Sequence, residues 1–239
     1  GTEEIPAGYI RPALESLREL FSNAMNSARL SHGKIETYAT PRRLVLRALG
    51  LPEQQPPIQI EKIGPPRSSA FDEHGNPTKA ALGFARSQGV NVTDLVIVKT
   101  SRGEQVAVRK TEEGASTIQV LAETLPGLIE KIAFPKTMRW MDLDTRFARP
   151  VHWITALFEG QVVPFSFANI RSGKFSRGHR FIHPGIFPVS DFEDLRSSLE
   201  KHGVILDQDK RKSEIQNRIV ELSKLEGFRI FEDEDLLDE

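Results

Sequence analysis

Cysteine is absent from the whole of this 239-residue chain. That excludes a disulfide scaffold and any zinc or iron–sulfur site built on thiolates. No apolar run approaches the ~18 residues that a membrane-spanning helix needs. No basic-then-apolar stretch opens the chain as a secretory signal would. These absences fit a cytoplasmic protein with no membrane partner. The phosphate-binding pattern G-x-x-x-x-G-K-[ST], the dinucleotide pattern G-x-G-x-x-G, the G-x-S-x-G elbow and H-E-x-x-H are also missing. The residues therefore offer no catalytic candidate, no cofactor site and no motif for activating ATP. Internal repeats and low-complexity segments are lacking as well.

What is present is a globular balance. Hydrophobic residues make up 38% and charged residues 27%, the proportions of a folded chain and not of a disordered one. The length suits one large domain or two small ones. Net charge is −1, but the charges are unevenly spread. Phe134 to Arg180 holds eight Lys/Arg against three acids, a net of +5. Ser190 to the end holds eight bases against 15 acids, a net of −7. A basic middle and an acidic end present different faces to an anion.

Apolar residues recur at Ile10, Leu14, Leu17, Phe21 and Met25, which predicts an amphipathic helix over 7–29 with Pro6 in its first turn. Strands are expected at 35–40 and 43–49, then a linker at 51–57, a strand at 58–63 and a loop at 64–77. Thr78 is placed to cap a helix over 79–88 that stops at Gly89. A hairpin is expected from 95–100 and 105–110, and a helix over 116–132 broken or kinked at Pro126. A second hairpin is expected from 151–158 and 162–168 around Glu159-Gly160. Helices over 191–202 and 209–225 then flank a short strand at 204–206. Hairpins outnumber βαβ units, so the fold class is α+β with mainly antiparallel sheet and flanking helices. Composition divides the chain into 1–50 (helix and strand pair), 51–189 (central α+β region with basic, aromatic loops) and 190–239 (helical segment). Both ends read as cut, so a fragment of a longer protein is expected.

Phe134-Pro-Lys-Thr-Met-Arg-Trp140 sets Lys136 and Arg139 between two aromatics. Cations for phosphate and flat rings for exposed bases are what RNA sites use. The competing reading is a loop whose Phe and Trp anchor a core while its charges sit in water. In Thr40-Pro-Arg-Arg43 the two cations are adjacent, and adjacent strand residues point to opposite faces. Ser176-Arg-Gly-His-Arg-Phe181 offers Arg177 and Arg180 beside a permissive glycine. It suits either a phosphate clamp or an acidic neighbour. His179 and His183 are four apart, but the stretch is not expected to be helical, Pro184 follows, and a metal site would need a third ligand. Glu3 and Glu4 are adjacent and do not have the geometry of an acid–base pair.

Taken in order, Gly1-Thr-Glu-Glu-Ile-Pro6, Thr40-Pro-Arg-Arg-Leu44, Gly83-Phe-Ala-Arg86, Phe134 to Trp140, Arg146-Phe-Ala-Arg-Pro150 with His152-Trp153, and Arg177-Gly-His-Arg-Phe181 resemble the β subunit of the bacterial α2β2 glycyl-tRNA synthetase. The resemblance spans nearly the whole chain. It implies an N-terminal region of a subunit that handles tRNA(Gly), while the α subunit holds the catalytic site and uses ATP and Mg2+. It also implies a partial likeness to the tRNA-interacting B3/B4 module of the phenylalanyl enzyme. The tRNA-contacting candidates are Lys136, Arg139, Trp140, Arg149, Arg177 and Arg180. The alternatives are a region that mainly assembles α with β, and an editing-type module. The chain departs at Thr137 and Met141, where the family more often has Ser and Gly. An apolar strand that usually precedes Gly1 is not in the sequence, and an edge strand is therefore expected to be missing.

Overall fold

A computed structural model describes residues 1–140, 144–231 and 233–238, the last by its backbone alone. Met141, Asp142, Glu232 and Glu239, which entered the sequence reading, lie outside the described residues. The chain forms two compact units, Gly1–Gln54 with Ser116–Glu239, and Gln55–Ala115. The second is an insertion, because the chain leaves and rejoins the first at neighbouring points. Gln54 and Ser116 pair as an isolated bridge, and Gln55 N–H donates to Ala115 at 3.0 Å one residue further in. Composition marks boundaries at 51 and 190, whereas contacts mark them at 55 and 115.

The first unit opens with α1, Ala7–Ser27, whose buried face is Ala13, Leu14, Leu17, Phe21 and Met25. That i, i+3/i+4 spacing puts one apolar stripe against the core. Strands β1, Ile35–Thr40, and β2, Arg43–Ala48, form an antiparallel pair joined at Thr40–Arg43.

The inserted unit is a three-stranded antiparallel sheet with helices. Its elements are β3 (Ile58–Pro66), α2 (Arg67–Ala70), α3 (Lys79–Gln88), β4 (Leu95–Thr100) and β5 (Gly103–Glu112). The strand order is β3-β5-β4. Its core is Ala70, Ala81 and Val106, with Phe71 and Phe84 packed on them. The small alanines let two helices approach the sheet closely. Thr78 caps α3 by accepting from Ala80 N–H, and Gly89 ends it in the left-handed region at φ 65°. Here the structure corrects the expected loop at 64–77. The register shifts between Ile63 and Pro66, so β3 runs on to Pro66, and α2 follows it directly. A β-bulge carries the strand past a Gly-Pro that sequence rules treat as a stop.

The first unit resumes with α4, Thr117–Glu130, capped by Ser116 and continuous through Pro126. Short strands follow: β6 (Met138–Arg139), β7 (Arg146–Phe147), β8 (Ile154–Thr155), β9 (Leu157–Phe158), β10 (Gln161–Val162), β11 (Ser166–Phe167), β12 (Ile170–Gly173), β13 (Phe175–Arg177) and β14 (Ile186–Pro188). Helices α5 (Phe192–Lys201), α6 (Gln208–Glu226) and α7 (Glu234–Asp238) complete the described residues. The expected long hairpin at 151–168 is reduced to β9 and β10. Its turn forms as read, with Glu159 at φ 47° and Gly160 at φ 73°. β12 instead pairs with β11 and, in parallel, with β8. The expected strand at 204–206 has no ladder partner among the described residues. Val204 and Leu206 are core plugs that join Phe187, Val189 and Leu199 in a buried cluster, so burial and not pairing explains their apolar character. The architecture is α+β, built from several small sheets that are mostly antiparallel.

A candidate nucleic-acid interface and the ion cluster beside it

The basic string of residues 134–140 divides its labour. Phe134 stacks edge-on against Phe147 at 4.8 Å, and Phe147 meets Phe167 at 6.0 Å. Trp140 is only 8% exposed, so its ring anchors the hairpin and presents no open face to a base. Between these anchors β6 and β7 pair Met138 with Phe147 and Arg139 with Arg146. Lys136 and Arg139 are both exposed. Arg139 reaches Asp144 at 3.4 Å; both side chains are well hydrated, so that pair is weak and easily exchanged. Lys136 has no ion-pair partner among the described residues. Arg146 donates to the hydroxyl and carbonyl of Thr137 at 3.1 and 3.3 Å, which ties the string to its return strand.

The other candidates converge elsewhere. Residues 1–5 run as an extended segment between two backbones. Thr2 N–H donates to Arg42 O at 2.9 Å and Ile5 N–H to Pro41 O at 2.7 Å. On the opposite flank Thr2 bridges Val151, and Glu3 N–H donates to Pro150 O at 3.0 Å. This sets the Glu3 carboxylate among one histidine and two arginines. His152 Nε2 lies 2.9 Å away, Arg180 Nη1 3.4 Å and Arg42 Nη2 3.9 Å. Arg180 also contacts Glu4 at 3.4 Å, and Arg149 donates to the Glu4 carbonyl at 3.1 Å. Arg180 and Arg149 are therefore occupied within the chain. The reading of Arg177-Gly-His-Arg180 that sets it against an acidic neighbour describes Arg180.

Beneath this cluster lies Arg43, a strand residue only 6% exposed. It donates through Nη2 to the carbonyls of Arg177 and Gly178, the latter at 3.1 Å, and through Nη1 to Thr40 Oγ1 at 3.4 Å. Its Nε has no partner. Burial, together with the neighbouring charge of Arg42, pushes the guanidinium down to about 10, so it remains a cation at neutral pH. Arg43 and Arg177 also lie over the Trp153 ring at 5.5 and 5.4 Å from its centroid. Of the two adjacent arginines in Thr40-Pro-Arg-Arg43, one thus serves the ion cluster and the other the core, as the alternation of a strand requires.

Sequence reasoning named Arg177 and Arg180 but missed Arg43, His152 and Glu3 as members of one constellation. The only available signal was that all lie in the strings that carried the family resemblance. His179 is a local cap: its Nδ1 accepts from the N–H groups of Phe181 and Ile182 at 3.3 and 3.2 Å. Among the described residues no group of three His, Cys, Asp or Glu side chains is arranged to hold a metal, and no helix is long and apolar enough to cross a membrane.

Comparison with known proteins identifies the family of the chain. The model of the family described as the glycyl-tRNA synthetase beta subunit matches residues 1–239. Among curated proteins, the chain is 50% identical over 239 residues to the glycine--tRNA ligase beta subunit of Trichlorobacter lovleyi, and 49% to that of Geobacter sulfurreducens. It is 48% identical to that of Citrifermentans bemidjiense. In each case all of this chain aligns, and it spans 35% of the relative's length. The chain belongs to the glycyl-tRNA synthetase beta subunit family.

Proposed function

We propose that this chain is a tRNA-handling region of the beta subunit of glycine-tRNA ligase, and that it supports attachment of glycine to tRNA(Gly) by an alpha subunit. On this reading the alpha subunit supplies the catalytic site and uses ATP and Mg2+, the assembly is an α2β2 heterotetramer in the cytoplasm, and this region is inactive alone. The family match over every residue carries the reading. Within the chain, the β6–β7 hairpin supports it. Lys136 and Arg139 stand exposed on a platform that Phe134 and Trp140 lock to the core. The platform fixes the backbone that carries the two cations, and their exposed heads can meet phosphate directly. Arg177 is exposed as well. The partial likeness to the B3/B4 module of the phenylalanyl enzyme belongs to the same reading.

A second reading, assembly of alpha with beta, is favoured by a separate surface. On the β13–β14 hairpin and its tip, Phe181 is 75%, Ile182 65% and Ile186 63% exposed. Ile182 and Ile186 are aliphatic and cannot stack on bases, so the apolar patch they form with Phe181 favours a protein partner.

Glycylation of tRNA(Gly) by alpha with full-length beta tests the role of the β6–β7 hairpin. If Lys136→Ala/Arg139→Ala raises KM for tRNA while alpha still co-purifies, the hairpin is an RNA surface. Loss of activity through loss of alpha makes it a subunit interface. Unchanged kinetics with intact assembly removes the hairpin from tRNA recognition.

A further inference from the structure

Six glycines fall in the inserted unit, and five of them have a reason inside it. Gly75, Gly89 and Gly103 sit in the left-handed region at φ 80°, 65° and 101°. A Cβ on Gly64 would stand 2.6 Å from the Phe84 ring, and one on Gly114 would stand 2.1 Å from Gln55 O. Gly83 is the exception. It is the fifth of the ten residues of α3, and a Cβ built on it meets nothing within 4 Å beyond its own stretch of helix. Glycine in a helix interior is disfavoured against alanine, because it gives up more conformational freedom on folding. The unit therefore carries a local weakness that its own packing does not call for.

The residues around Gly83 point to what lies outside. On an α-helix the residues four before and three after a position share its face. For Gly83 these are Lys79 and Arg86, both exposed. They stand about 10 Å apart along the helix axis, one on each side of the bare turn. Neither has an ion-pair partner among the described residues. No acidic side chain lies on α3 to neutralise them. Gly127 of α4 has the same open space, but its neighbours at those spacings are Glu123 and Glu130, which repel an anion. Leu82, 48% exposed, is the one large apolar side chain that α3 shows to solvent, too little for the apolar centre of a protein interface.

Two cations with bare helix backbone between them suit a sugar–phosphate strand. Phosphates take the cations, and the missing side chain lets the strand come down onto the helix where a methyl group would hold it off. We propose that this face of α3 is a docking surface for the sugar–phosphate backbone of tRNA, with Lys79 and Arg86 on phosphates and Gly83 admitting the strand between them. This rests on the tRNA-handling reading and adds to it a surface in the inserted unit, apart from the β6–β7 hairpin. Because the contact is to backbone, it positions the RNA and carries no base preference of its own.

The test uses alpha with full-length beta and tRNA(Gly), with binding measured across a salt series. Gly83→Ala is expected to weaken binding by about fivefold or more, as an added methyl does in a close contact. In the enzyme without tRNA, the same change is expected to raise amide protection factors over 83–88 by about fourfold, the advantage of alanine over glycine in a helix. A role confined to the fold would move both readouts in the same direction. Lys79→Gln/Arg86→Gln is expected to lower the slope of log K against log salt by about 1.5, for two phosphates. Unchanged binding and slope, while Lys136→Ala still lowers the slope, would overturn this proposal and leave the tRNA-handling reading standing. Binding by the assembly no tighter than by alpha alone would remove both. Lower protection in Gly83→Ala would assign the glycine to the fold, and loss of alpha at an unchanged slope would assign the face to a protein partner. Either result overturns the proposal.

Discussion

The guanidinium of Arg180 lies 3.4 Å from a carboxylate oxygen of Glu3, a residue 177 positions earlier in the chain. Lys136, in contrast, is exposed and without an ion-pair partner among the described residues. A phosphate can take Lys136 directly, but must displace Glu3 and Glu4 to take Arg180. In a salt titration of tRNA binding by the assembled enzyme, Lys136→Ala should therefore lower the slope of log K against log salt by about one. Arg180→Ala should lower it by less than about half of that. Equal effects would mean that the Glu3 pair opens on binding.

Arg43 provides a stability test. Its guanidinium serves two backbone carbonyls and Thr40 from a buried position. Arg43→Met keeps the apolar stem but leaves those carbonyls without a donor, at a cost of about 3 kcal/mol. Urea unfolding should show a lower midpoint with an unchanged m-value. A neutral result would mean that water replaces the guanidinium.

Gly178 sits where a side chain has no room. A Cβ there would stand 2.2 Å from the carbonyl oxygen of His183 and 2.8 Å from His202 Cβ. Gly178→Ala should cost about 2 kcal/mol or more, because the obstacle is backbone. Hydrogen exchange should show the loss concentrated in residues 175–188 and not spread over α1.

Acid should loosen two local structures first. The Asp72 carboxylate accepts from Asn76, through its backbone N–H at 2.7 Å and its side chain at 3.1 Å, and from His74 N–H at 3.0 Å, which holds it below its ordinary value of 3.8. Asp194 is held below the same value chiefly by Ser190 N–H at 2.9 Å. A lowered folded-state value means that stabilisation is complete above pH ~4 and is lost as the pH falls through the folded value. Amide protection factors at 71–78 and 190–194, corrected for the intrinsic exchange rate, should fall in that window. Asp72→Ala should abolish the pH dependence at 71–78 alone.

The residues themselves determined the local elements. Helix α1 follows from its apolar spacing, α3 from Thr78 and Gly89, and the β9–β10 turn from Glu159-Gly160, because each depends on neighbours within about one helical turn or one hairpin. The ordered strings likewise pointed to the family. What required the tertiary structure was every assignment that depends on a distant partner. Val204 and Leu206 look like a strand but are core plugs, since apolarity records burial and does not say whether a ladder is present. Trp140 looks like a stacking platform but is buried. Arg43 and Arg42 differ by one residue and have opposite fates, because the sheet sends alternate side chains to opposite sides. The Glu3 cluster, drawn from segments near residues 3, 42, 152 and 180, exists only because the chain folds those segments side by side. Local spacing carries no information about such separations.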